Sequence, residues 1–564
     1  MPKPDALARM ERILHRLYGI AGGSRALERI ATLLERWRPG HQEEKAPRRF
    51  SQSDAILITY GDTLLQPGQP PLKTLYGFAH RYLRDSFSGI HVLPFFPFSS
   101  DDGFSVTDFQ SINPELGTWA DLARLRDSFD LMFDFVLNHI SAKSQWFSNY
   151  LAEVPGYRDL AIEVDPEIDL SRVTRPRALS LLTPFEKESG ETVHLWTTFS
   201  ADQIDLNYQS AEVLCKMVEI LLDYVGRGAR LIRMDAVAYL WKEIGTSCIH
   251  LPQTFDIIRL LRAILDIAAP DTVIITETNV PHQENIAYFG NGTDQAQMVY
   301  NFTLPPLLLH SLTSADTRVL SRWAASLSTP SDETTFFNFT ASHDGIGVRP
   351  LEGILTDSAI GALASEATRS GGAVSYRQNS DGSRSPYELN ITYLDALGAD
   401  PLKFMASQAI QMILPGVPAV YIHSLLGSRN WTAGVAQTGR PRSINRERLA
   451  LPALLEELER RNSSRHIIFN AYRHMLTVRR AQPAFHPNAD FAVLDLGRGV
   501  FGARRSAGGQ RICALTNVTG EVVSVNLAGC VSGVPAYAMD LLEGTAVSAG
   551  GIVLPPYQSC WLEL

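Results

Sequence analysis

"GARLIRMDAVAYL", residues 228–240, decides the reading of this chain. From Ala229 to Met234 it is a short, largely apolar run entered from a glycine, and it ends by setting Arg233 and Asp235 two positions apart. Such a run suits a strand buried on both faces, as in a parallel sheet. Residues two apart in a strand share a side, so Arg233 and Asp235 point the same way at its C-terminal end. A guanidinium beside a carboxylate favours the ionised form, and an ionised, oriented carboxylate can serve as a nucleophile. Taken alone, the pair reads equally well as a structural ion pair capping a strand.

Working outward, seven more runs have the same texture: "AILITY", "GIHVLPF" and "LMFDFVL" before it, and "TVIITE", "MVYNF", "TTFFNFT" and "PAVYIH" after it. Amphipathic segments such as "SAEVLCKMVEILLDYVGRG" and "PQTFDIIRLLRAILDIAAPD" lie between them, the first stopped by glycine and the second by proline. Eight buried strands, each followed by a helix or an insertion, predict an α/β fold, a parallel (β/α)8 TIM barrel, whose active sites lie at the C-terminal ends of the strands. The barrel is expected over residues 51–482. Two connections exceed ordinary loops and read as insertions, 141–207 after the third strand and 351–390 after the seventh. Residues 1–50 read as an N-terminal helical extension closed by the polar linker "HQEEKAPRR", and residues 483–564 as a C-terminal antiparallel β domain of short alternating strands.

The totals narrow the function. The chain has 564 residues, too many for a single core. Its net charge of −9 argues against a general binder of nucleic acid or of anionic membranes. No apolar run reaches the ~20 residues that a membrane span needs, and the charged helical pattern of "MPKPDALARMERILHRLYG" leaves no apolar leader segment, so a cytoplasmic protein is expected. The five cysteines are scattered without CxxC spacing, which predicts reduced thiols and neither a disulfide framework nor a zinc site. No glycine-rich nucleotide loop stands between a strand and a helix.

Other strand ends are also polar. "LMFDFVLNH" finishes in Asn138 and His139, "TVIITETN" carries Glu277, and "FFNFTASHD" ends in His343 and Asp344. Singly, such a histidine is more often structural, and such a glutamate can cap the next helix. Four strands all ending in acids, histidines and an arginine would gather charge at one mouth, which a chain selected for stability alone would rarely tolerate. Three carboxylates there suit retaining glycoside chemistry, in which one attacks the anomeric carbon and another acts first as acid, then as base. Asp235 is the one poised to attack.

In order, "DFVLNH", "GARLIRMD", "ITETN" and "FTASHD" resemble the four conserved regions of the α-amylase superfamily, glycoside hydrolase family 13. The resemblance implies Asp235 as nucleophile, Glu277 as general acid/base and Asp344 as transition-state stabiliser, with His139, Arg233 and His343 contacting the bound sugar. From about Ala55 to Arg446, "ITYGD", "HVLPFFPF", "DDGFSVTDF", "KEIGTSC", "TLPPLLLH", "HDGIGV", "LPGVPAVY" and "SINR" are similar to the sucrose phosphorylase subfamily. That similarity implies Asp101 gripping distal hydroxyls of one terminal glucose, Phe104 as an apolar wall, and Gln203 on the acceptor side.

Favouring phosphate over water as second nucleophile calls for cations beside the leaving-group site. "VTRPRAL" and "TGRPRSINR" resemble the subfamily's phosphate-contacting stretches, with Arg175 and Arg442 at the matching positions, and Tyr387 in "SPYELN" matches a tyrosine that serves both acceptor and phosphate. The loop "SYRQNSDGSRSPYELN" is longer and carries Arg377 and Arg384, and with the N-terminal extension it looks like the branch whose acceptor is glycerate. An added arginine suits a carboxylate-bearing acceptor. The reaction implied is 2-O-α-D-glucosylglycerate plus phosphate giving α-D-glucose 1-phosphate plus D-glycerate, and Arg384 is the acceptor-side candidate. Sucrose phosphorylase and a hydrolase or transglucosylase on the same barrel are the alternatives. A non-catalytic partner of a membrane transporter ranks last, because all three acids are present. No metal and no cofactor is expected, phosphate being a substrate. The partners expected are the small-molecule glucoside and phosphate, with neither nucleic acid nor membrane, and a homodimer is left open.

Overall fold

The computed structural model describes residues 4–37, 49–176, 179–378 and 383–564. Nearly all of the expected linker, residues 41–48, lies outside the described residues. Eight strands form a closed parallel barrel: β1 (Ile56–Thr59), β2 (Gly89–Val92), β3 (Asp130–Phe135), β4 (Ala229–Met234), β5 (Val273–Thr276), β6 (Met298–Tyr300), β7 (Thr335–Phe339) and β8 (Val417–Tyr421). They run round it in the order β1-β8-β7-β6-β5-β4-β3-β2. All eight apolar runs of the sequence therefore become barrel strands. β1, β5, β7 and β8 are buried at every position, which explains why they read as unbroken apolar runs rather than alternating ones.

The chain divides into two compact units, Met1–Arg49 with Val92–Thr278 and Ile286–Val299, and Phe50–His91 with Asn279–Asn285 and Tyr300–Leu564. The first holds β3, β4 and β5 and, among its helices, α1 (Pro4–Arg36), α2 (Ala211–Gly226) and α3 (Pro252–Ala268). In α2 the residues Val213, Leu214, Met217, Val218, Leu221 and Val225 recur at helical spacing and are buried. Proline at the first turn of α3 loses no hydrogen bond, since that amide has no intrahelical partner. The N-terminal extension is α1, broken at Gly19, whose φ of 68° and ψ of 174° leave the helical region. It lies along α2 and α3 through ion pairs Arg9–Asp266, Arg16–Asp256 (2.5 Å) and Arg29–Glu212. The first insertion adds a ribbon pairing His139–Ser141 with Gln203–Asp205 and a hairpin of Leu182–Glu186 with Thr192–Trp196.

In the second unit β8 runs parallel to both β1 and β7, with Ile56 opposite Ala419 and Phe337 opposite Val417. The second insertion is a helix, Asp357–Arg369, and an antiparallel sheet in which the strand Arg384–Asn390 lies between Ile346–Gly347 and Ala373–Gln378. Beyond it, an antiparallel sheet of six strands orders 490–494, 500–507, 510–517, 559–563, 537–540 and 545–548, as the alternating texture of the C-terminal stretch predicts. Two buried arginines, one on the helix Ser464–Arg480 and one on the sheet strand 500–507, satisfy backbone carbonyls in the same unit. Arg479 donates to the carbonyls of Met412, Gln52, Gly416 and Phe485, and Arg505 to those of Ala484, Ile413 and His486. Each guanidinium converts orphaned carbonyls into satisfied ones at the cost of its own hydration, which lowers its pKa to about 10 for Arg479 and about 9 for Arg505. Among the described residues no helix is long and apolar enough to cross a membrane.

Candidate active site

Strand register brings the first unit's carboxylates level. Arg233 on β4 stands opposite Asp134 on β3 and Ile275 on β5, and Met234 opposite Phe135 and Thr276. The next residues therefore emerge together: the Asp235 amide donates to the Phe135 carbonyl and the Glu277 amide to the Met234 carbonyl, each at 3.2 Å. Arg233 is 2 % exposed, and its Nη1 lies 2.5 Å from Asp134 Oδ1 and 2.8 Å from Asp235 Oδ1, with Nη2 at 3.9 Å from Glu277 Oε2. One guanidinium thus orients Asp235 while Asp134, wholly buried, anchors it from behind. After Asp235 the backbone enters a left-handed turn, Ala236 having φ of 50° and ψ of 29°. That turn aims the Ala236 amide at Glu277 Oε2, 3.0 Å away. A side chain at positive φ is strained, and such strain is typical of residues that carry function.

Of the expected substrate residues, Asp101, Phe104, His139 and Gln203 lie in the same unit as this pair. The Arg233 guanidinium carbon is 5.5 Å from the centre of the Phe104 ring. His139 Nε2 donates to the Phe104 carbonyl at 2.9 Å, the only role open to it against an acceptor, which leaves Nδ1 to accept from Asn138 Nδ2 at 3.3 Å. Burial holds the His139 pKa below its ordinary value, against the charge of Asp205. Gln203 Nε2 donates to Asp101 Oδ2 at 3.2 Å and lies 3.1 Å from His139 Nε2.

Two supports behind these residues carry no signal in the sequence. Asp101 and Asp102 both have positive φ (54° and 49°), followed by Gly103 at 112°, where a Cβ would meet the Pro94 carbonyl at 2.8 Å. Asp202, next to Gln203, braces this bent loop by accepting from Ser99 (2.6 Å), Ser100, Ser105 (2.9 Å) and Ser141 (3.4 Å). Beneath His139, the buried ammonium of Lys242 lies 2.5 Å from Asp205 Oδ2 and 2.9 Å from Asn138 Oδ1, and its pKa is lowered by burial. Asp205 also accepts from the amide and hydroxyl of Thr198, so every buried charge there is paired.

The second unit holds the other expected residues apart from Arg175. His343 Nε2 is 3.5 Å from Asp344 Oδ1, and its ring meets the Tyr60 ring edge to face, centres 5.9 Å apart. The "SINR" segment is the scaffold of this turn: Asn445 Nδ2 donates to the carbonyls of Ser342 (3.1 Å) and Asp344 (2.9 Å), and Arg446 Nε to that of His343 (2.8 Å). Arg442 Nη1 lies 2.6 Å from Asp344 Oδ1, while its Nε and Nη2 make a two-pronged pair with Glu388 at 3.0 and 2.6 Å. The guanidinium expected at phosphate thus bridges two carboxylates, one of which the sequence did not single out. Tyr387 is half-buried beside Glu388, its carbonyl accepting from the Val348 amide at 3.0 Å. Arg377 donates to Glu352 at 2.7 Å. Arg175 and Arg384 stand exposed, one on each insertion.

A buried charge inside an otherwise apolar strand, as Asp134 is in "LMFDFVL", is the available sign of a partner such as Arg233. Glu388 offers none, since "SPYELN" does not tell which side chain faces inward.

The chain has relatives of known family. The family model described as the alpha amylase catalytic domain matches residues 47–344. A glucosylglycerate phosphorylase of Escherichia coli is 45% identical over 98% of this chain and 99% of its own. One of Allomeiothermus silvanus is 47% identical over 93% of each. Among solved structures, sucrose 6F-phosphate phosphorylase from Thermoanaerobacter thermosaccharolyticum superposes with a TM-score of 0.74 at 26% identity, covering 85% of this chain and 96% of that one. On the ordered strand-end motifs, the barrel that carries them and this likeness over nearly its whole length, the chain belongs to the α-amylase superfamily, glycoside hydrolase family 13.

Proposed function

We propose that the chain is a retaining glucosylglycerate phosphorylase, converting 2-O-α-D-glucosylglycerate and phosphate into α-D-glucose 1-phosphate and D-glycerate. The observation that carries the reading is the 45–47% identity to glucosylglycerate phosphorylases across almost the full length of both chains, against 26% to the sucrose 6F-phosphate phosphorylase. The geometry of the first unit supports the chemistry. Asp235, oriented by Arg233, attacks the anomeric carbon while Glu277 gives its proton to the departing glycerate oxygen, and a β-glucosyl ester of Asp235 forms. Phosphate then attacks the same carbon from the opposite face. The Glu277 carboxylate takes up its proton, the ester bond breaks, and two inversions leave the α configuration. Asp344 and His343 serve as hydroxyl-holding groups, Asp101, Phe104 and His139 as the walls of the glucose pocket, and Gln203 as its acceptor-side rim.

Arg175, Tyr387 and Arg442 are the proposed phosphate contacts and Arg384 the contact for the glycerate carboxylate. As written the reaction needs no cofactor and no metal. Five free thiols and a charged product that does not cross a membrane unaided both fit the cytoplasm.

Incubation with glucose 1-phosphate and each of D-glycerate, fructose, glycerol and fructose 6-phosphate, read as phosphate release, tests the reading. D-Glycerate should be the best acceptor. Fructose as the best acceptor would replace this reading with sucrose phosphorylase, and glucose release with every acceptor would replace it with a hydrolase.

A further inference from the structure

Glu388 is a carboxylate in an expensive place. It is 3 % exposed, in the middle strand of the second insertion's sheet, opposite Gly347 on one side and Ser375 on the other. Its side chain runs across Gly345, the residue directly after Asp344. A Cβ at that position would come within 2.5 Å of Glu388 Cγ and 2.7 Å of the Leu389 carbonyl. The missing side chain of Gly345 is therefore the slot through which Glu388 reaches Arg442.

The contact made there has a particular form. Nε and Nη2 of Arg442 meet the two oxygens of Glu388 in parallel, at 3.0 and 2.6 Å, while Nη1 meets Asp344. A guanidinium presents the same fork to a phosphate oxyanion. A glutamine of the same shape would fill the slot without placing a buried charge, so the carboxylate needs a reason beyond packing.

We propose that Glu388 is a resident competitor for the oxyanion of the second substrate. It occupies the fork of Arg442 while the fork is empty of phosphate, and phosphate must displace it. In a double displacement the first product leaves before the second substrate enters. Both are anions in this reaction, and a guanidinium left open would hold the first too long. By taking the fork back, Glu388 keeps Arg442 on Asp344 between the two steps and sets phosphate affinity below the level the fork would otherwise reach. The idea rests on the phosphorylase reading for its role in turnover, but the competition itself is a matter of binding.

The test is Glu388→Gln in the full-length protein, with inorganic phosphate as probe. By calorimetry, without any glucoside present, the variant should bind phosphate about tenfold more tightly than the wild type, the loss of one charge-assisted competitor. In turnover of glucosylglycerate at low phosphate, the ratio of phosphorolysis to hydrolysis should rise by a similar factor. Equal or weaker phosphate binding by the variant overturns the proposal, as does an absence of phosphate binding in both proteins. A parallel fall of phosphorolysis and hydrolysis with unchanged affinity would make Glu388 a support for Asp344 only, and also overturns it. Should the variant fail to fold, hydrogen exchange on the wild type decides: saturating phosphate should loosen the amides of residues 384–390, and unchanged or greater protection there overturns the proposal. A wild type that binds phosphate yet forms no glucose 1-phosphate refutes the enzymatic reading while leaving the binding result to stand or fall alone.

Discussion

The amide of Ala236 donates to Glu277 Oε2 at 3.0 Å, so the turn that follows Asp235, the proposed nucleophile, also holds Glu277, the proposed acid/base. That contact leaves Glu277 well placed to give its proton outward to a leaving oxygen. Glu277→Gln should cut turnover of glucosylglycerate by about a hundred- to ten-thousandfold. Attack on α-D-glucosyl fluoride, whose leaving group needs no proton, should be far less affected. A burst of fluoride from the variant checks this, and equal losses on both substrates would remove Glu277 from the acid role.

Asp235 owes its orientation to Arg233, whose Nη1 also meets Asp134. Asp235→Asn keeps the shape and one hydrogen bond but is a poor nucleophile. Turnover should fall by roughly ten-thousandfold or more, with the circular dichroism spectrum unchanged. Arg233→Lys replaces a fork with a point charge that cannot serve Asp134 and Asp235 with the same geometry, so both activity and thermal midpoint should drop. A well-folded Asp235→Asn enzyme retaining a few per cent of activity would refute the assignment.

The barrel was legible because its strands are buried on both faces, and short unbroken apolar runs such as "TVIITE" and "PAVYIH" suit the centre of a parallel sheet better than an edge or a half-exposed face. Asp235, Glu277 and His139 were legible for a related reason: a polar residue ending such a run has to face the strand's open end. What escaped was the support behind them. Asp202 holds the Asp101 loop with four serines, and Lys242 pairs Asp205 with Asn138, yet in sequence each is an ordinary charged residue of an insertion or loop. Pairings between residues far apart in the chain leave no periodicity. Resemblance alone singles out Arg442 as a candidate phosphate contact, and only the side-chain geometry discloses that Glu388 and Asp344 share it.

Stability should depend on pH through buried histidines. Burial, helped by the charge of Arg465, depresses the His423 pKa to about 3, and burial lowers that of His139 as well. The unfolded chain, with histidine near 6.5, takes up protons first as the pH falls. The stability these groups contribute is therefore complete above about pH 6.5 and is lost progressively from there towards pH 3. Thermal midpoints measured between pH 8 and pH 4 should fall below pH 6.5, and less steeply in His423→Gln. Identical curves for the two proteins would exclude His423 as a cause.

Arg442→Ala removes more than the proposed oxyanion contact. Glu388 would be left buried without its cation, at a cost of about 3 kcal/mol, and Asp344 would lose a bond of 2.6 Å. The variant should show a higher phosphate requirement, a larger share of hydrolysis, a lowered overall rate and a lower thermal midpoint. The double variant Arg442→Ala/Glu388→Gln should recover much of the midpoint but not the phosphate dependence. Recovery of neither, or an unchanged phosphate requirement in Arg442→Ala, would contradict this account.

In the second insertion, the proposed acceptor region, the two added arginines differ in situation. Arg377 is engaged by Glu352, and Arg384 is exposed at the start of the strand that also carries Tyr387 and Glu388. A carboxylate on the acceptor should therefore meet Arg384 rather than Arg377. A charge-assisted hydrogen bond contributes about 1.5–3 kcal/mol, so D-glycerate should surpass glycerol by roughly ten- to a hundredfold in the synthetic direction. Arg384→Ala should bring the two acceptors close together by lowering activity with glycerate and sparing glycerol, whereas Arg377→Ala should leave the ratio nearly intact. Rates with both acceptors, taken at saturating glucose 1-phosphate, settle the point. An undiminished preference for glycerate in Arg384→Ala would move the acceptor's carboxylate to another cation, and a preference lost only in Arg377→Ala would exchange the roles of the two arginines.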